Sequence, residues 1–144
     1  MSDPTANSLA KVSKLFEALD DAGRHELLSS AKKTLHKDGF VICKEGETGD
    51  EFFVLTGGRV RVTADDLGSA KEIAILEKGA FFGEMAVLNH EKRAATVIAL
   101  GEVELVRFQR ASVNAVLQRY PAAREMLSRV GVLRSEETLQ KMID

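Results

Sequence analysis

Lys37–Val62 reads KDGFVICKEGETGDEFFVLTGGRVRV, and its punctuation decides the fold. Glycine interrupts it at Gly39, Gly46, Gly49, Gly57 and Gly58. Between the glycines lie short β-prone runs: Phe40–Cys43, Phe52–Leu55 and Arg59–Thr63. Arg59-Val60-Arg61-Val62-Thr63 alternates strictly, as a half-buried strand does, because successive side chains point to opposite faces. Gly57-Gly58 between two such runs predicts a hairpin, since glycine accepts positive φ.

The same pattern continues outward. Glu72–Leu76, Ala95–Leu100 and Val103–Phe108 are further β-prone runs, and ADDLGSA (Ala64–Ala70) is a second turn. About eight short strands with closely spaced turns predict a mainly β fold, an antiparallel β-roll or jelly roll. The ends switch to helical spacing. Leu9, Val12, Leu15, Phe16 and Leu19 share a helical face, and Asp20 or Asp21 caps a second short helix. Ala111–Gln118 predicts a helix, Tyr120-Pro121 breaks it, and Pro121 opens the next. Met126, Leu127, Val130 and Leu133 give that helix its apolar face, with a bend or split expected near Gly131 and Ser135. The expected organisation is one domain over residues 1–144: helices at about 8–31, the roll at about 35–108 and C-terminal helices at about 111–143.

Composition excludes several classes. The chain has 144 residues, a formal charge of −2, 44% hydrophobic and 29% charged residues. That suits an ordinary globular domain and offers no global attraction to nucleic acid or an acidic membrane surface. Cys43 is the single cysteine, so no internal disulfide forms; it reads as a small buried apolar residue. MSDPTANSLAKVSK does not read as a signal peptide, and no apolar run approaches the roughly 20 residues of a membrane span. A cytoplasmic location is expected. His25, His36 and His90 are scattered without metal-ligand spacing, and no Ser-His-Asp arrangement, G-x-G-x-x-G or P-loop is present. No catalytic residue, metal or cofactor is expected.

The chemistry concentrates in FFGEMAVLNHEKRAAT, Phe81–Thr96. Gly83 permits a sharp turn and close approach of another molecule. Glu84 to Val87 fits one short helical turn whose free N–H groups attract an anion. Arg93 follows Glu84 by nine residues. A guanidinium forks onto phosphate, whereas an ionised carboxylate needs a hydroxyl or N–H donor. Charge spacing alone leaves two readings open. Glu84 and Arg93 pair with each other, or both face one ligand that offers a phosphate and a neighbouring hydroxyl.

At these residues the sequence resembles the cyclic-nucleotide-binding domains of cAMP-dependent protein kinase regulatory subunits, catabolite activator protein and nucleotide-gated channels. FGEMAVLNHEKRAATV resembles the family's phosphate-binding cassette, and LEKGAFFGE its run-in. KDGFVICKEGETGDEFFVLTGGRVRV resembles its early strands. The resemblance covers about Leu15 to Val130. It implies a β-roll with flanking helices and a short phosphate-binding helix. It also implies a ligand site at Gly83, Glu84, Met85, Ala86, Arg93, Ala94 and Ala95. In that site Glu84 accepts the ribose 2′-hydroxyl, Arg93 clamps the phosphate, and the small residues offer backbone N–H groups. Val62 and Arg134 are candidates to line the base; Leu127, Val130 and Leu133 are alternatives for a lid. In the family, Thr or Ser directly after the cassette arginine often accompanies cGMP preference. Ala94 stands there, which favours cAMP, with cGMP the second candidate. The expected function is a sensor whose C-terminal helices move for an effector protein or domain. The resemblance to catabolite activator protein carries no DNA-reading element within this chain. Two rivals remain: a degenerate domain used for protein contacts, and a β-roll metalloenzyme.

Overall fold

The computed structural model describes residues 14–83 and 92–129. Helix α1 (Lys14–Glu17) and helix α2 (Asp21–Ser29) lead into strands β1 (Lys32–His36), β2 (Val41–Cys43), β3 (Glu51–Asp66), β4 (Ser69–Leu76), β5 (Phe81–Phe82) and β6 (Thr96–Gln109). Helix α3 (Arg110–Leu117) follows directly, and residues 121–129 are helical. All strand pairings are antiparallel. The main path is β1-β6-β3-β4, with β2 also on β6 and β5 on β3.

The mainly β roll with flanking helices is as expected, but the strands are divided differently. Gly57-Gly58 does not close a hairpin. β3 runs through it, and both of its halves pair with β6. Likewise the runs predicted at 95–100 and 103–108 form the single strand β6. The glycines serve a slip in register instead. Gly57 faces Glu104 while Arg59 faces Leu100, so β6 carries extra residues there. Gly58 (φ 81°) and Gly101 (φ 72°) supply the positive φ, and a Cβ at Gly58 would run into the Glu102 carbonyl oxygen. The second expected turn does form. Asp66 pairs with Ser69, and Leu67 and Gly68 both adopt positive φ, the signature of a two-residue hairpin loop.

Strand parity sorts the core into two compartments. Phe52, Val54, Phe81, Val106 and Phe108 point to one side, where they join Leu15, Phe16, Leu19 and Leu27 from the N-terminal helices. Val113, Val116, Leu117, Ala123 and Leu127 complete that cluster. Phe53, Leu55, Phe82, Val103 and Leu105, one residue out of phase, point into the roll with Cys43, Val60, Val97 and Ala99. A strand segment covered on both faces must be apolar at consecutive positions, which explains the run Phe52-Phe53-Val54-Leu55. Burial pushes the Cys43 thiol up to about 11, so it stays protonated, as a small apolar residue would.

The helices are clasped as the local sequence suggests. Asp20 caps α2, accepting from the Gly23 N–H at 2.8 Å. The same carboxyl oxygen accepts from the Tyr120 hydroxyl at 2.5 Å. Those two bonds, the Tyr120 one first, hold the Asp20 carboxyl below its usual range. A Cβ at Gly23 would come 2.8 Å from the Tyr120 ring, so a larger residue there would require the ring to shift. Arg119 donates to Glu26, tying the start of the C-terminal region to α2. Leu9, Val12, Gly131 and Ser135 lie outside the described residues.

Candidate functional site

Arg93 is fixed at both ends. Its backbone N–H donates to the Glu47 carbonyl at 2.8 Å, and its own carbonyl accepts from the Gly46 N–H at 2.9 Å. Its side chain enters a slot between two glycines. A Cβ at Gly83 would approach Arg93 Nη1 to 2.7 Å, and one at Gly49 would overlap the guanidinium. Gly83 has φ 87°, a conformation that only glycine adopts readily. The Phe53 ring forms the floor of the slot, with its centroid 5.5 Å from Arg93 Cζ, a cation–π distance. Arg93 Nη2 donates to the Glu51 carbonyl at 2.9 Å.

Two buried guanidinium nitrogens lack a hydrogen-bond partner among the described residues, Arg93 Nη1 and Arg107 Nε. Among the described residues Nη1 has no hydrogen-bond partner, and no carboxylate among them pairs with Arg93. A buried guanidinium N–H without an acceptor is costly, so this donor is available to an acceptor. An anion with two in-plane oxygens matches the donor geometry of the fork.

The structure therefore brings Gly83 and Arg93 together. Ala94, exposed, and Ala95, half-buried, continue from Arg93 into β6. Thr96 serves the scaffold, its hydroxyl accepting from the Glu45 N–H at 3.1 Å. Val62 is half-buried on β3, packs against the roll interior and lies between Val97 and Ala74 across the strands. Leu127, an alternative for a lid over the base, is instead fully buried in the helix-side core, because its face is consumed by packing. Glu84, Met85, Ala86, Val130, Leu133 and Arg134 lie outside the described residues.

Four residues that build the slot are absent from the sequence-based site: Gly49, Glu51, Phe53 and Arg107. Arg107 stands opposite Phe53 in the β3–β6 ladder, with its Cζ 5.3 Å from the same ring. Its Nη2 donates to Glu51 Oε1 at 2.7 Å. One signal was available. Glu51 and Phe53 share a strand face, and Arg107 is a lone cation in the otherwise apolar stretch Leu105–Phe108.

Among the described residues no group of three or more His, Cys, Asp or Glu is placed to hold a metal ion. His25 is exposed; His36 stacks on Phe40 and bonds to Thr34. Among the same residues no helix is long and apolar enough to cross a membrane.

Comparison with known proteins identifies the family. The family model for the cyclic nucleotide-binding domain matches residues 34–120, and the chain belongs to that family. These domains bind ligands and are not catalytic. The cAMP-dependent protein kinase regulatory subunit of Mucor circinelloides is 32% identical over 62% of this chain and 21% of its own length. The cGMP-dependent protein kinase egl-4 of Caenorhabditis briggsae is 37% identical over 77% of this chain and 15% of its own. The chain thus spans about a fifth or less of these relatives. The regulatory domain of Toxoplasma gondii PKA, solved with cAMP, superposes with a TM-score of 0.78 and 26% identity, covering 89% of this chain and 49% of that one.

Proposed function

We propose that this chain is a cAMP-binding sensor domain in which Arg93 anchors the cyclic phosphate. The observation that carries the reading is the buried Nη1 of Arg93, without a partner among the described residues and facing Gly83. Glu84 accepts the ribose 2′-hydroxyl, and Gly83 shapes the phosphate turn. The N–H groups of Ala86, Ala94 and Ala95 complete the anion site. Met85, Val62 and Arg134 are assigned to the base side. Ala94 offers no hydroxyl to guanine, and the cAMP held by the Toxoplasma gondii neighbour supports the same preference. Calorimetric titration with cAMP and cGMP tests it: cAMP binds more tightly, and a tenfold preference for cGMP overturns it.

Binding is read out through α3 and the helix after it. A ligand shifts an equilibrium only by binding one arrangement better than another. The route is short. Arg93 holds the Glu51 carbonyl, and the preceding residue, Asp50, holds the start of α3. The Asp50 carbonyl accepts from the Arg110 N–H at 2.8 Å, and its carboxylate lies 3.3 Å from the Arg110 guanidinium. Amide exchange across residues 110–129 with and without cAMP tests the coupling; protection that does not change contradicts it.

A further inference from the structure

Glu51 touches both arginines of the slot, through different groups. Its carbonyl accepts from Arg93, while its carboxylate accepts from Arg107. The carboxylate therefore belongs to a residue whose backbone already touches Arg93, and both guanidiniums lie over the one Phe53 ring. Left to itself the carboxylate would pair with Arg93, since charge-assisted hydrogen bonds are the strong ones. It would then occupy the fork that a ligand's phosphate needs.

We propose that Arg107 is a positioning residue for the anion site: by holding the Glu51 carboxylate, it keeps an internal anion off Arg93. The proposal rests on the reading of Arg93 as the phosphate anchor. Strand register makes the arrangement specific. Arg107 faces Phe53 directly, and Glu51, two residues back on the same face, is its diagonal neighbour. The Phe53 ring braces Arg107 on its π-face and is itself stacked on Phe82, with centroids 4.9 Å apart. Arg107 and Glu51 are both about three-quarters buried, with side-chain exposures of 27% and 28%, so solvent competes weakly for the pair.

The test is a calorimetric titration of the full chain with cAMP, with thermal unfolding recorded for each variant. Arg107→Met frees the carboxylate and weakens binding by about tenfold. Glu51→Gln combined with Arg107→Met removes the competitor as well and returns affinity to within about threefold of the wild type. Arg107→Lys, which still pairs with Glu51, also stays within about threefold. A purely structural role shows instead in the unfolding curves: Arg107→Met then melts at a lower temperature while the folded protein keeps its cAMP affinity. Arg107→Met binding like the wild type, or a double variant no tighter than Arg107→Met, overturns the proposal. Should Arg107→Met not fold, a folded double variant about tenfold weaker than the wild type overturns it equally. A wild type that binds neither cAMP nor cGMP is a separate outcome, which removes the phosphate-anchor reading and this proposal with it.

Discussion

Arg93 and Arg107 lie 5.5 and 5.3 Å from the centroid of the same ring, Phe53, yet they are kept in different states. Arg107 has a carboxylate, Glu51, at 2.7 Å. Arg93 has only a carbonyl of the same residue at 2.9 Å, and its Nη1 is buried without a partner among the described residues. Burial of an ion is tolerated when the ion is paired and hydrogen-bonded. Arg107 is thus charge-paired within the scaffold, though its Nε too is buried without a partner among the described residues, whereas Arg93 has no carboxylate among them. Proximity to one aromatic face does not separate the two; the disposition of a single carboxylate does.

The comparison breaks most severely at Arg93. Arg93→Ala costs about 2–5 kcal/mol of cAMP affinity, because a buried phosphate charge loses its partner. Titration calorimetry reads the loss, and an Arg93→Ala protein that binds normally ends the distinction between the two arginines. Gly83→Ala acts on the wall of the slot. The positive φ alone makes it cost about 1–2 kcal/mol of stability, and the new methyl crowds Arg93 Nη1. Denaturant unfolding measures the first effect and cAMP titration the second; a variant unchanged in both contradicts the slot.

The smallest effect separates the arginines by their fields. His36 is held below its ordinary value, first by burial and then by the Arg107 charge. A histidine depressed in the fold contributes stability that is complete above its unfolded value, about pH 6.5. That contribution is lost as the pH falls through the depressed folded value. Arg107→Met lifts one of the two causes, so the His36 titration moves upward and the acid-side loss shrinks. Arg93→Ala leaves His36 in place. Imidazole proton shifts followed by NMR across the acid range check both, and an equal response to the two substitutions denies their difference.

Much of the molecule was legible in the sequence because its signals are local. The alternation at Arg59–Thr63, the Leu67-Gly68 turn, the Asp20 cap and the Pro121 helix start each depend on a few neighbouring residues. Gly83 and Arg93 were singled out from spacing together with the family resemblance, and the fold sets them side by side. Gly57-Gly58 misled because a glycine pair serves a hairpin and a bulge equally well; here only Gly58 of the two takes positive φ. The choice was made by β6, whose residues pair with both halves of β3 from some forty positions away. Glu51, Phe53 and Arg107 escaped for the same reason. Their shared face exists only after β3 and β6 are placed in register, and nothing near Arg107 in the chain announces its partner.

The most direct measurement follows the guanidinium groups themselves. In the ¹⁵N-labelled wild type, the side-chain resonances of Arg93 and Arg107, assigned by substitution, can be monitored as cAMP is added. Arg93 is expected to shift saturably, with its guanidinium protons slowed in exchange as phosphate accepts them, while Arg107 stays on Glu51 with little change. A response confined to Arg107, or none from Arg93 at saturating cAMP, contradicts the claim that Arg93 carries the uncompensated charge to the ligand.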